Sequence, residues 1–311
     1  MTQSIAFIFP GQGSQSIGMG KELAQKFPVA SEIFEQADQI LGFSLSELAW
    51  NGPEAELNDT INTQPALLVH SIAVLAVLKE NFPSLMPSFV AGHSMGELSA
   101  LVAAGSLNFP DALLLVRKRG ELMKRAGELH PGAMAAVLGL DMAKLEAVCQ
   151  EATTPSEIVQ VANDNCPGQI VISGNSIALE RAIQLAQKAG ARRTRTLAVS
   201  IAAHSPLMQD AQLDFNRAVD ASPVTRPAVT LIGNVSATPL NSAADIRQDL
   251  QAQLTSRVRW TETIQYLFRR GTDLFLELGN GSVLTGLLKR INDQASGLAI
   301  GAPADFDKLS F

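Results

Sequence analysis

The sequence predicts an α/β fold: a large domain with a parallel-sheet core, interrupted by a small ferredoxin-like α+β subdomain. Two observations carry this expectation. In the first part of the chain, short apolar runs ending in Gly or Pro alternate with helical stretches, as strands feeding crossover helices do. Beyond residue 129 the rhythm becomes β-α-β-β-α-β within about seventy residues, the split βαβ order.

Taken in order, residues 4–9 (SIAFIF) form a strand closed by the loop PGQGSQ, with a helix over 22–27. Asn62, Thr63, Gln64 and Pro65 open a helix to about residue 78, with a polar residue near its cap and Pro in its first turn. Residues 88–91 are a strand ending at Gly92, and 97–104 a helix. In the subdomain, 133–140 is a strand and 142–151 a helix; strands 157–162 and 170–173 flank a loop over 163–168. A helix over 177–189 and a strand over 194–199 complete it. Strands 230–233 and 274–277 return to the first sheet. The expected boundaries are 1–128 with 200–311 for the large domain and 129–199 for the small one.

The 311 residues are 46% hydrophobic and 17% charged, enough apolar material for a packed core, which excludes a disordered or fibrous chain. A net charge of -6 argues against nucleic acid as a partner. The basic run Arg192, Arg193, Thr194, Arg195 reads as a solvated strand end. Cys149 and Cys166 have neither metal-ligand spacing nor a disulfide framework, so no metal site is expected. The N-terminus lacks a secretory pattern, and no stretch reaches the roughly 18 to 20 apolar residues of a membrane span. A soluble, cytoplasmic chain is the resulting expectation.

Gly92-His93-Ser94-Met95-Gly96 contains Gly-x-Ser-x-Gly between a strand and a helix. Such a turn projects a serine oxygen from the end of a sheet, and the helix aims its N-terminal N–H groups at an oxyanion. Ser94 is therefore the candidate nucleophile. His93, its neighbour on a turn, reads as a structural or pocket-wall residue. A serine nucleophile needs a general base, and imidazole suits the task. Of His70, His93, His130 and His204, only His204 lies in a loop at a strand end, where sites on sheets gather. By elimination His204 is the candidate base.

On the helix 110–125, residues Arg117, Lys118, Glu121, Lys124 and Arg125 share one arc, at about 100° per residue. Arg119 falls on the opposite, apolar side with Ala112, Leu115, Val116 and Met123. A buried guanidinium stays charged and must find an anion. Two readings stand: an internal Asp or Glu, or a carboxylate on the substrate captured by the planar fork.

These residues resemble the malonyl-CoA:acyl carrier protein transacylases of fatty acid and polyketide synthesis. The likeness runs through PGQGSQ, TQPALL, GHSMGE, VRKRGELM, NDNCPGQIVISG, AAHSPLM and QLTSRVRWTET, in the family's order and spacing, over nearly the whole chain. The resemblance implies a hydrolase-like large domain and an acyltransferase with Ser94 acylated and His204 as base and then acid. It implies an oxyanion hole from the N–H groups of Gln12 and Met95, and Arg119 on the malonyl carboxylate. It further implies a backbone carbonyl at Gln253, rather than a third carboxylate, orienting the imidazole. Gln64 matches a glutamine near the pocket, beside the alternative of a role capping its helix. No cofactor is implied; the substrates are malonyl-CoA and the phosphopantetheine thiol of acyl carrier protein, and the enzyme is expected as a monomer.

Two positions depart from the family. Ala203 stands where Phe or Ser is common, which enlarges the pocket and loosens the expectation of strict malonyl selection. Met95 stands where malonyl enzymes carry Leu, a close match in volume. The alternatives are a discrete acyltransferase serving a polyketide synthase, and a serine esterase or thioesterase. Against the latter, the sequence has no HGGG-type oxyanion loop and no clear Asp shortly before His204.

Overall fold

The computed structural model describes residues 4–197 and 201–309. Among these are ten strands: β1 (Ser4–Phe9), β2 (Phe89–Gly92), β3 (Gly132–Leu138), β4 (Val159–Cys166), β5 (Gln169–Asn175), β6 (Arg193–Thr196), β7 (Thr230–Ile232), β8 (Pro239–Leu240), β9 (Thr272–Leu278) and β10 (Ser296–Ile300).

Six of them form a sheet of order β10-β9-β1-β2-β7-β8, parallel except where β8 pairs antiparallel with β7. Its strands are apolar on both faces because helices cover both. Phe7 and Phe9 of β1 enter a core with the helices Pro28–Leu41, Thr60–Asn81 and Phe109–Leu129. The alternate residues Ala6 and Ile8 pack on the other side with Trp260, Ile264 and Leu288. This is the parallel-sheet core that the sequence predicts, with β7 and β9 returning to it. The loops after β1, β2 and β7 leave from the same carboxyl edge, where sites on such sheets lie.

The remaining strands form an antiparallel sheet of order β4-β5-β3-β6, the ferredoxin-like arrangement. Val137, Val161 and Ile172 pack on one face with Leu145 and Leu179 of the helices Met142–Ala152 and Ser176–Lys188. Met134, Ala162 and Val171 occupy the opposite face. Backbone bonds from Asp164 N–H to Val258 O (2.9 Å) and from Val258 N–H to Ala162 O (2.8 Å) tie this sheet to the segment before the helix Trp260–Arg269. Arg192, Arg193 and Arg195 are exposed at β6. The end of the expected strand 194–199, and the 199/200 boundary, lie outside the described residues.

Three expectations are corrected. The second predicted helix is Thr60–Asn81, and its cap is Asp59, whose carboxylate accepts the Ile61 N–H at 3.2 Å. Pro65 therefore lies inside the helix and leaves the Ile61 carbonyl without its i+4 donor; Arg117 Nη1 supplies one at 3.1 Å. The predicted loop 163–168 is mostly strand: β4 runs to Cys166, with register shifts at Val161/Asn163 and Asp164/Cys166. Its turn is only Pro167-Gly168, with Gly168 at φ 72. Finally, Thr60–Asn81 is long and apolar enough to cross a membrane, with mean hydropathy 1.6, yet 83% of its apolar window is buried in the protein. Length and composition cannot distinguish a core helix from a span; packing does.

Candidate active site

β2 ends at Gly92 and the helix Gly96–Ala103 starts two residues beyond Ser94. The connection is so short that Ser94 takes φ 53, a left-handed conformation costly for a residue with a side chain. Close backbone approach explains the flanking glycines. A Cβ on Gly92 would lie 2.0 Å from the Gly96 carbonyl, and one on Gly96 would lie 2.4 Å from Phe9 O. Asn234, beyond the end of β7, clamps the turn from the side. Its amide donates to Gly92 O and its Oδ1 accepts the Ser94 N–H, both at 2.8 Å. Asp249 holds that clamp by accepting the N–H groups of Asn234 (3.0 Å), Val235 and Ser236 (both 3.2 Å).

His204 Nε2 lies 2.8 Å from Ser94 Oγ. Its Nδ1 faces the carbonyls of Gln253 (2.9 Å) and Ser256 (3.1 Å), which can only accept. The Nδ1 proton is thereby fixed and the Nε2 lone pair meets the serine hydroxyl. His204 too is left-handed, at φ 58. Gln160 of β4 steadies its backbone, donating to the carbonyls of His204 (2.8 Å) and Thr255 (3.1 Å). Burial, and then the nearby Arg119 charge, push the imidazole down to about 3, so it is neutral at ordinary pH.

Arg119 is 1% exposed, on the helix Phe109–Leu129 started by Asn108, whose Oδ1 accepts the Asp111 N–H at 2.9 Å. Its Nη1 donates to Gln64 Oε1 (2.7 Å); its Nη2 donates to Gln253 Oε1 (2.8 Å) and Ser94 Oγ (3.2 Å). All three partners are neutral, and Nε has no partner among the described residues. Burial lowers the guanidinium to about 10, which leaves it a cation at neutral pH. Of the two readings of Arg119, the internal ion pair is not what forms here. Gln64 is fully buried and lies past the first turn of its helix, whose cap is Asp59. Instead it joins a belt in which its Nε2 donates to Thr60 Oγ1 (2.8 Å), and Thr60 donates to Gln12 Oε1 (2.9 Å).

These groups surround a cavity of about 180 Å³ lined by Gln12, Thr60, His93, Ser94, Met95, Arg119, Met123, Met134, Asn163, Asn165, Val171, Leu197, Ile201, Ala203 and His204. It is smaller than the usual small-molecule site and suits a short acyl group. The N–H groups of Gln12 and Met95 have no hydrogen-bond partner among the described residues. His93 is a wall residue: its Nε2 meets Asn165 Oδ1 at 2.8 Å, its ring stands edge-on to Trp260, and burial lowers its pKa.

A serine hydroxyl hydrogen-bonded to a neutral imidazole, beside a buried guanidinium whose hydrogen-bond partners are all neutral, thus lines one small cavity. The profile of the acyl transferase domain family matches residues 6–301. The chain belongs to the acyl transferase family. This acyl transferase is 48% identical over 299 residues to the malonyl CoA-acyl carrier protein transacylase of Bacillus subtilis, covering 96% of this chain and 94% of that one. Among solved structures it is similar to the malonyl CoA-acyl carrier protein transacylase of Coxiella burnetii, with TM-score 0.95, 40% identity and coverage of 98% and 96%. A malonyl-transacylase in complex with a type II PKS acyl-carrier protein matches with TM-score 0.95, 42% identity and 98% coverage of both chains.

Sequence reasoning missed several residues of the acyl transferase site. Asn234, Asp249 and Gln160 are ordinary polar residues whose partners are distant in the chain, so no local signal marks them. Asn165 reads as loop by composition; the bulged β4 is what brings it to His93. Glu97 carried a legible signal, a lone carboxylate in the apolar stretch GELSALVA, by the same reasoning that singled out Arg119.

Proposed function

We propose that this acyl transferase moves a malonyl group from malonyl-CoA to the phosphopantetheine thiol of acyl carrier protein, by a ping-pong mechanism through a malonyl-Ser94 ester. The observation that carries the reading is Arg119, a buried cation whose hydrogen-bond partners are all neutral, beside the nucleophile. A buried charge without a counter-ion is destabilising unless the ligand supplies one.

In this mechanism Ser94 Oγ attacks the thioester carbonyl while His204 Nε2 takes its proton. The developing oxyanion is met by the N–H groups of Gln12 and Met95. Collapse expels the CoA thiolate, which takes up from the imidazolium the proton that left Ser94. The carrier thiol then gives its proton to His204 and attacks the ester, and Ser94 leaves with that proton. Arg119 couples binding to chemistry. Its charge depresses the imidazole, so a malonyl carboxylate paired with it offsets that effect and strengthens the base only when the right acyl group is present. Every step falls to side chains and backbone amides. The reading extends to a cytoplasmic enzyme that acts as a monomer.

The acyl-enzyme is tested with radiolabelled malonyl-CoA and acetyl-CoA, scoring label on Ser94. Malonyl should load in strong preference, and Arg119→Ala should cut malonyl loading by about a hundredfold and erase the preference. An unchanged malonyl-to-acetyl ratio would refute the role of Arg119. Label released as free acid despite an added carrier would favour a hydrolase. A polyketide carrier is the second reading, because the solved complex at 42% identity holds one; transfer rates to a fatty-acid carrier and a polyketide carrier decide between them.

A further inference from the structure

Glu97 lies on the helix that follows the nucleophile, fully buried. Its Oε2 accepts from Gln253 Nε2 at 2.5 Å, and its Oε1 has no donor among the described residues. Asp249 stands one helical turn before Gln253 on the helix Ala243–Gln253, and its charge acts on Glu97. Two buried carboxylates sharing one site do not both ionise. Asp249 accepts three backbone N–H groups, the surroundings of an anion, whereas Glu97 accepts a single amide.

We infer that Glu97 is a neutral carboxylic acid that donates its proton to Asp249 while accepting the Gln253 amide, and that this keeps Arg119 unpaired for the incoming carboxylate. The groups facing it are Asp249 and Gln253 from the helix Ala243–Gln253, and Arg119 from the helix Phe109–Leu129. Burial, then the charge of Asp249, favour the neutral form; the Gln253 amide and Arg119 oppose them.

The proton acts in two directions. Toward Asp249 it braces the carboxylate that holds the Asn234 clamp. Toward Gln253 the other oxygen is left as an acceptor, which fixes which way the amide points. Nε2 is engaged by Glu97 and by Ser94 O (3.2 Å), so Oε1 is left to accept from Arg119. An ionised Glu97 would supply the counter-ion that the substrate is meant to bring. Glu97 is thus a positioning residue, and its role rests on the proposed function of Arg119.

The test combines infrared spectroscopy of the enzyme alone with malonyl loading by Glu97→Gln and Glu97→Ala. At neutral pH the wild type should show the carbonyl stretch of a protonated carboxylic acid that Glu97→Gln lacks. The glutamine reproduces both hydrogen bonds, so its loading rate and malonyl preference should stay within about threefold of wild type. Glu97→Ala strands two buried partners and should lose about tenfold to a hundredfold in kcat/KM for malonyl-CoA. The wild-type rate should fall at alkaline pH where that of Glu97→Gln does not. A band that persists in Glu97→Gln, or loading as poor as that of Glu97→Ala in a variant of wild-type thermal stability, overturns the inference. If Glu97→Ala does not fold, the band and Glu97→Gln decide alone. If the wild type does not load malonyl at all, the proposed function fails, while the band still reports the protonation of Glu97.

Discussion

The nucleophile turn and the base loop present their reacting atoms to each other across 2.8 Å, and each does so from a residue in the left-handed region, Ser94 at φ 53 and His204 at φ 58. They are held by different means. The turn is set by backbone sterics within five residues and against the end of β1, with one distant side chain, Asn234, across it. The base loop has no such local constraint. Its imidazole is aimed by carbonyls 49 and 52 residues away, and its backbone by Gln160, 44 residues away on the other sheet. Steric geometry of the first kind is close to all-or-none. Hydrogen-bonded geometry of the second kind is graded, each partner contributing a share.

The largest effect should come from adding a methyl group to the turn. Gly92→Ala should lower single-turnover acylation of Ser94 by about a hundredfold or more, because its Cβ meets backbone that cannot step aside. Near-normal acylation would break the contrast by showing that the turn is compliant. Gln160→Ala removes one of several supports and should lower kcat by about tenfold with KM for malonyl-CoA unchanged. A change confined to KM would instead place β4 in substrate binding.

The smallest effect concerns acid. The folded pKa of His204, about 3, lies below its ordinary 6.5, so the unfolded chain binds its proton first as pH drops. The stability it contributes is complete above pH 6.5 and is lost as pH falls from there toward 3. His70, lowered to about 4 by burial despite its bond to Gly301 O (2.9 Å), and His93, also lowered by burial, act with the same sign. Urea midpoints should therefore decline with acidification, and less steeply in His204→Asn. Identical slopes would move the acid sensitivity away from the base loop.

Much of this was legible in one dimension because the signals are periodic or local. Gly-x-Ser-x-Gly between a strand and a helix marks a turn whose crowding is decided by adjacent residues. The angular position of Arg119 follows from the helical repeat alone, and so does its burial. The strand order of the small subdomain follows from the succession of apolar runs. What escaped has a common cause. The start of the helix Thr60–Asn81 is not legible in the sequence, because Pro65 is acceptable inside a helix only when a residue far off, Arg117, serves the carbonyl it frees. Residues 163–166 look like a loop by composition and are strand because β5 pairs with them.

Composition, period and motif thus determined the two-sheet fold, the strand-to-helix turn that carries Ser94 and the inward arginine, since each depends on residues within a turn or two of one another. Only the tertiary structure decided that Arg119 has neutral partners, that Gln64 is one of them, that Gln160 holds the His204 backbone and that Glu97 accepts from Gln253. Those facts depend on which buried polar groups satisfy one another across segments distant in the chain, and hydrogen-bond matching of that kind leaves no periodic trace in a sequence.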